Sequence, residues 1–222
     1  MTKKIIIIGG GISGLAAGVY ACKAGFEAEI FESGHTVGGI CTGWERKGYH
    51  IDGCIHWLTG SKKGTDIHQT WETCGALNDD IQIYQADYIA ATIHEGKTCY
   101  LHTRIDMMEK ELLDISPEDE EEIGKFIKTV RLFQTVPIPA KKPFEYTSFW
   151  RKISLVFNHL GLVKAMIKNG KVSIKDYLAR FKSPVIRRLL SSIVPEELPA
   201  YTLFFTLGIR TNGDGGWPMG GS

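Results

Sequence analysis

Gly9, Gly11 and Gly14 stand at G-x-G-x-x-G spacing within the opening stretch "IIIIGGGISG". Glycines so spaced serve one kind of chemistry well, the holding of phosphate. The first permits a tight turn, the second lets backbone approach a pyrophosphate, and the third lets a helix pack closely on a strand. A helix starting there would turn unpaired N–H groups and the positive end of its dipole toward the anion. Ser13 lies in that first turn and is a further candidate contact. Glu32, 18 residues beyond Gly14, can accept hydrogen bonds from both hydroxyls of an adenosine ribose. The same carboxylate would repel a 2′-phosphate, which disfavours NADP.

These residues need a strand, a helix and a second strand to hold them in register. Ile5 to Ile8 read as a short, fully buried β run, the state that β-branched residues favour. Leu15, Ala16, Val19 and Ala24 sustain a helical pattern up to Gly25, a natural C-terminal stop. Ala28-Glu29-Ile30-Phe31 then forms a second strand that ends at Glu32, completing a βαβ unit. Lys3 and Lys4 before an uncharged run to Cys22 also resemble a secretion signal or a membrane span. The change of period from strand to helix, with an acid in place at the end, favours the βαβ unit over both.

Other chemistries find less support. The 222 residues carry a net charge of +1, which gives no overall bias toward nucleic acid. Cys22, Cys41, Cys54, Cys74 and Cys99 form an odd, dispersed set without CxxC or metal-finger spacing. Such a set reads as reduced thiols in a cytoplasmic setting. No Ser-His-Asp order, HExxH motif or strong metal cluster is present, so hydrolase chemistry and a metal site are not expected. The acid run Glu118 to Glu122 falls in the first turn of a helix capped by Ser116-Pro117, where it would offset the helix dipole in solvent.

The stretch "ESGHTVGGICTGWERKGYHIDG" extends the argument. Its Gly38-Gly39 pair after the acid, followed by Tyr49-His50-Ile51-Asp52-Gly53, resembles the flavoprotein family of amine oxidases, phytoene desaturases and retinol saturases. The wording is most similar to the phytoene desaturase and retinol saturase branch. That resemblance implies FAD as cofactor, with Gly38-Gly39 close to its phosphates and ribityl chain. It also implies a hydrophobic small-molecule substrate, a polyene or isoprenoid-like lipid to be desaturated, saturated or isomerised. Amine oxidation and a non-catalytic nucleotide-binding fragment are the alternatives. Ile40 stands where many members carry Arg. His56 and Tyr49 are candidate proton donors beside the flavin, although a His next to Trp57 more often belongs to a hydrogen-bonded core.

The expected architecture is α/β: a Rossmann-like βαβ unit with an inserted β-hairpin and a helical substrate or cap region. Residues 1–80 form the FAD-binding region and residues 81–222 a portion of the substrate domain. Ile67 to Leu77 read as a short helix, and Tyr88 to Ile93 with Thr98 to Leu101 as a hairpin around Glu95-Gly96, beginning a separate sheet. The resemblance makes that sheet one wall of a substrate pocket. Ile123, Phe126, Ile127, Val130 and Phe133 give the helix after Pro117 one apolar face. "VPIPAKKPFEY" reads as a linker or domain crossing. From Lys141 to Arg188, 12 Lys and Arg stand against Glu145 and Asp176, interleaved with Phe149, Trp150, Val156 and Phe157. This segment is either a basic patch at the surface of a membrane or a helical cap with solvated lysines. Nucleic acid is not an expected partner. The final "GDGGWPMGGS" resembles a segment that lies mid-chain in family members, which implies that the chain is incomplete at its C-terminus, either as a fragment or truncated product or because a second polypeptide completes it.

Overall fold

The computed structural model describes residues 2–136, 138–140 and 144–220. Parts of the Pro-rich stretch, the start of the basic segment and the last two residues of the glycine-rich end lie outside the described residues. The chain divides into two compact units, Met1–Tyr84 with Trp217–Ser222, and Gln85–Gly216. The sequence reading did not foresee the return of residue 217 to the first unit.

The first unit opens with β1 (Lys4–Ile8), α1 (Ile12–Lys23) and β2 (Glu27–Phe31). The strands pair in parallel from Lys4 opposite Glu27 to Ile8 opposite Phe31. This is the expected βαβ unit. β3 (Gly43–Arg46) and β4 (Tyr49–Asp52) form an antiparallel hairpin whose turn residues, Lys47 and Gly48, both have positive φ. The sequence reading missed this hairpin. α2 (Asp66–Cys74) starts at Thr65, whose hydroxyl accepts from the His68 N–H, and stops at the left-handed Gly75. β5 (Ile83–Tyr84) closes this stretch.

The isoleucine run is not fully buried. Ile5 and Ile7 are half-buried, while Ile6 is 62% and Ile8 81% exposed. Alternate residues of a strand point to opposite faces, and α1 packs on only one face of the β1–β2 pair.

The second unit begins with a separate two-stranded antiparallel sheet, β6 (Tyr88–His94) and β7 (Lys97–His102), which confirms the expected hairpin. α3 (Ile105–Ile115), α4 (Glu120–Phe133), α5 (Phe149–Asn158), α6 (Leu160–Gly170), α7 (Ile174–Leu178), α8 (Pro184–Ser191) and α9 (Ala200–Thr211) follow. The chain then returns to the first unit as β8 (Trp217–Pro218), antiparallel to β5.

The apolar core lies in the second unit. All five apolar residues read onto one face of α4 are buried there. Phe126 and Phe133 lie against Phe204 of α9, with ring centroids 5.6 and 5.7 Å apart, and Tyr177 of α7 meets Phe204 edge-on. α6, α7 and α8 contribute Leu162, Ile174, Leu178, Ile186, Leu189 and Leu190 to this core. Most of the basic segment is therefore a helical cap. α5 differs, since none of its residues is buried.

The acid run also departs from expectation. A 3₁₀ turn over Pro117–Asp119 precedes α4, and Ser116 provides no side-chain cap. Its hydroxyl donates instead to Asp119, which is buried rather than solvated. Asp119 also accepts from the backbone N–H groups of Lys182 (2.8 Å) and Ser183 (2.9 Å), tying the start of α4 to the start of α8. The other four acids of the run, at 118 and 120–122, are exposed or half-buried.

Burial raises the pKa of the Asp119 carboxyl, but the bonds from Lys182, Ser183 and Ser116 outweigh it and leave the net shift downward. A depressed carboxylate contributes stability above its unfolded pKa and loses it as pH falls through the folded value. Asp119→Asn should therefore cost about 1.5–3 kcal/mol at neutral pH. It should also flatten the acid limb of stability against pH, and urea unfolding from neutral to acid pH measures both effects.

Candidate dinucleotide site

The phosphate turn is built from backbone. After β1, the Gly9 N–H donates to the Phe31 carbonyl at 2.7 Å, extending the parallel pairing by one step. Gly9 then turns with φ +103°, and Gly11 begins α1 without a side-chain cap or an acid in the first turn. The first-turn N–H groups have no intrahelical partner and face whatever lies in front of the helix. A Cβ on Gly14 would collide with the Gly9 carbonyl oxygen, so the close packing of helix on strand requires glycine there. Ser13 is exposed in this turn and lines the cleft in front of it.

Gly38 and Gly39 return to the same place. The Gly38 N–H donates to the Gly10 carbonyl at 2.8 Å, and Gly38 forms a parallel bridge with Gly11. Both residues have positive φ, +115° and +64°. A Cβ on Gly39 would lie 3.2 Å from the Gly11 Cα. The pair is thus a backbone seam against the phosphate turn rather than a detached surface turn. Together the two glycine segments line an open cleft of about 420 Å³ that also touches Ile8, Ile12 and Ile40. Ile40 is 88% exposed at the edge of this cleft, and its side chain offers no charge to a phosphate.

Glu32 is in place but engaged. One carboxylate oxygen accepts from the Gly10 N–H at 2.6 Å, and the other accepts from the Gly34 N–H at 2.8 Å. The bonds from Gly34 and then Gly10 hold its pKa below the ordinary carboxylate value, so the group is charged at neutral pH. A carboxylate offers about four acceptor positions, which leaves capacity for a ribose hydroxyl. Glu32 therefore fixes the phosphate turn from the end of β2, a role the sequence reading did not give it. Gly10 was missed for the same reason. Its place between two fingerprint glycines marks nothing, and its bond to Glu32 spans 22 residues.

The two candidate proton donors are less well placed. Tyr49 is 75% exposed on β4, and His56 is an exposed loop residue whose ring centroid lies 6.2 Å from that of Trp57. The reading of His56 as a core histidine is corrected, because the chain after β4 runs along the surface. The buried histidine of this unit is His68, hydrogen-bonded through Nδ1 to the Gly60 carbonyl. Among the described residues no group of three or more His, Cys, Asp or Glu could hold a metal ion. Among them too, no helix is long and apolar enough to cross a membrane.

Residues 7–74 match the family described as the NAD(P)-binding Rossmann-like domain. This stretch has the Rossmann-like fold. Over 80 residues the chain is 32% identical to polyamine oxidase 1 of Oryza sativa subsp. japonica, covering 35% of this chain and 15% of that one. It is 36% identical over 50 residues to 4,4'-diaponeurosporene oxygenase of Staphylococcus haemolyticus, covering 22% and 10%. A putrescine oxidase redesigned in its cofactor binding superposes over 100% of this chain and 47% of its own length, with TM-score 0.55 and 16% identity. An oxidoreductase from Methanosarcina mazei superposes over 98% and 46%, with TM-score 0.52 and 20% identity. The chain thus shares its fold with these proteins and spans about half the length of the solved structures it matches.

The geometry changes what removal of Glu32 should do. Glu32→Ala takes away the candidate ribose acceptor and also leaves the Gly10 N–H without its partner. FAD affinity should fall roughly ten- to a hundredfold, and the melting temperature of the unliganded protein should fall as well. Calorimetric titration with FAD and a thermal melt without it check the two effects separately.

Proposed function

We propose that the protein binds FAD on the glycine cleft and belongs to an oxidoreductase that acts on a polyene or isoprenoid-like lipid. The observation that carries this reading is the pairing of the Gly9–Gly14 turn with the Gly38-Gly39 seam, tied together through Gly10 and Glu32. Two backbone segments free of Cβ atoms give a pyrophosphate close access, and the first turn of α1 directs N–H groups into the cleft. The charged Glu32 favours a free ribose over a 2′-phosphate, which fits FAD or NAD and opposes NADP. Bound there, FAD would supply hydride acceptance or donation at N5, while this chain binds and orients its ADP half. The diaponeurosporene oxygenase likeness and the Gly-Gly resemblance support the lipid reading.

Amine oxidation is the second reading. It is favoured by the polyamine oxidase alignment, the longer of the two reported, and by the superposition of this chain on 47% of putrescine oxidase. The two readings differ in the surface they need. α5 exposes Phe149, Trp150, Val156 and Phe157 beside Arg151 and Lys152. Aromatic and basic residues on one exposed helix suit contact with an anionic lipid surface, from which a hydrophobic substrate would be drawn. An amine substrate would have no use for such a face. The corresponding placement is peripheral, at the cytoplasmic side of a membrane.

Purified protein titrated with FAD should quench flavin fluorescence and saturate, whereas NADP should compete poorly. Anaerobic reduction of the bound flavin by polyenes, with none by polyamines, would support the lipid reading, and the reverse would support amine oxidation. Co-sedimentation should require anionic vesicles and weaken with salt, because exposed charges are screened over about 8 Å at physiological ionic strength. Phe149→Ser with Trp150→Ser should abolish it.

A further inference from the structure

Beyond cofactor binding, two thiols in contact flank the β3–β4 hairpin, the first of them directly after Ile40 of the cleft lining. Cys41 and Cys54 place their sulfurs 3.0 Å apart, and both side chains are partly exposed. The contact follows from the ladder. Gly43 lies opposite Asp52, and the Gly53 N–H donates to the Thr42 carbonyl at 3.1 Å, so the next facing pair is Cys41 with Cys54. Facing residues of an antiparallel ladder have Cα atoms about 4.5–5.5 Å apart, inside the span a disulfide bridges.

This pair is mechanically joined to the dinucleotide site. The Cys41 N–H donates to the Gly38 carbonyl at 3.1 Å, and a Cβ on Gly38 would approach the Cys41 carbonyl oxygen to 2.7 Å. Gly38 in turn donates to Gly10, the residue Glu32 holds. A covalent link at Cys41 would therefore anchor one end of the Gly38-Gly39 seam to β4.

We propose that Cys41 and Cys54 are a reversible dithiol–disulfide pair that, when oxidised, locks the Gly38-Gly39 seam against the phosphate turn. The oxidant is a low-molecular-weight disulfide. Its sulfur–sulfur bond is attacked by one cysteine thiolate, releasing one small thiol and leaving a mixed disulfide. The second cysteine displaces the other small thiol and closes the bridge. Two protein thiols are thus oxidised by two electrons, and one small disulfide is reduced to two thiols. The hydrogen bond shared with Cys54, and then partial burial, push the Cys41 thiol up to about 11, which favours its protonated form.

The test equilibrates the full chain in reduced and oxidised glutathione, alkylates free thiols and maps peptides by mass spectrometry. A Cys41–Cys54 linkage is expected in the oxidised buffer. Titration of both forms with FAD should show at least about threefold tighter binding by the oxidised form, because the seam is pre-organised. Cys41→Ser and Cys54→Ser should each abolish the linkage and the difference in affinity. Glutathione on separate cysteines, or free thiols throughout, would overturn the pair. A linkage with equal or weaker FAD binding would overturn the lock. If neither form binds FAD, the cofactor reading on which the lock rests has failed, and a bridged form must then melt higher by roughly 5 °C for the pair itself to stand.

Discussion

One carboxylate holds the phosphate turn in shape. Glu32 leaves the end of β2, reaches back across the top of the parallel pair and takes the Gly10 N–H at 2.6 Å. A turn of three consecutive glycines has large conformational freedom and loses it all on ordering. Fixing its middle residue to the neighbouring strand limits that freedom without adding a side chain to the cleft. The Gly38 N–H closes the turn from the opposite side by bonding the Gly10 carbonyl. Both hydrogen-bonding groups of the Gly10 peptide neighbourhood are therefore used to place the cleft, and the helix N–H groups stay available for an anion.

The two units gain their order by different means. The second unit is organised by burial, with Phe126, Phe133, Phe181 and Phe204 at its centre and helices on several sides. Truncating a large aromatic in such a core typically costs about 3–5 kcal/mol. The first unit contains little of this, and Leu77 is its only buried large apolar residue among those described. Its order rests on backbone pairing, on tight turns and on side chains that bond to backbone, namely Glu32 to Gly10, His68 to Gly60 and Trp71 to Thr59. Such a framework is sensitive to changes at its glycines and to small covalent constraints. A single bridge beside the Gly38-Gly39 seam can bias the site for this reason.

Charge is also divided between structural and surface uses. Asp119 lies in an acid run that reads as solvated, yet it is spent on fastening α4 to α8. Its neighbour Glu121 pairs with Lys125 in solvent, where such a pair contributes little. In the basic segment, the helices from α6 onward put apolar residues into the core and leave their lysines in water. α5 alone exposes its aromatics together with its charges.

The sequence by itself determined the βαβ unit, its glycine turn, the acid at the end of β2, the separate hairpin and the buried face of α4. Each of these is a local pattern, set by strand or helix period, by turn residues or by fixed spacing, and it is legible in a window of a few dozen residues. Tertiary structure alone decided what the pattern could not hold. Whether Ile6 and Ile8 are covered depends on what packs on the second face of a two-stranded sheet, which no strand period encodes. Asp119 differs from the acids beside it only because the start of α8, more than sixty residues later, supplies two N–H groups. The spacing offered Glu32 as a candidate ribose acceptor, but its hold on Gly10 required the strands to be paired first. Cys41 and Cys54 lack any recognised spacing, and the register of β3 on β4 brings their sulfurs together, because an antiparallel ladder sets residues face to face by hydrogen bonding and not by distance along the chain.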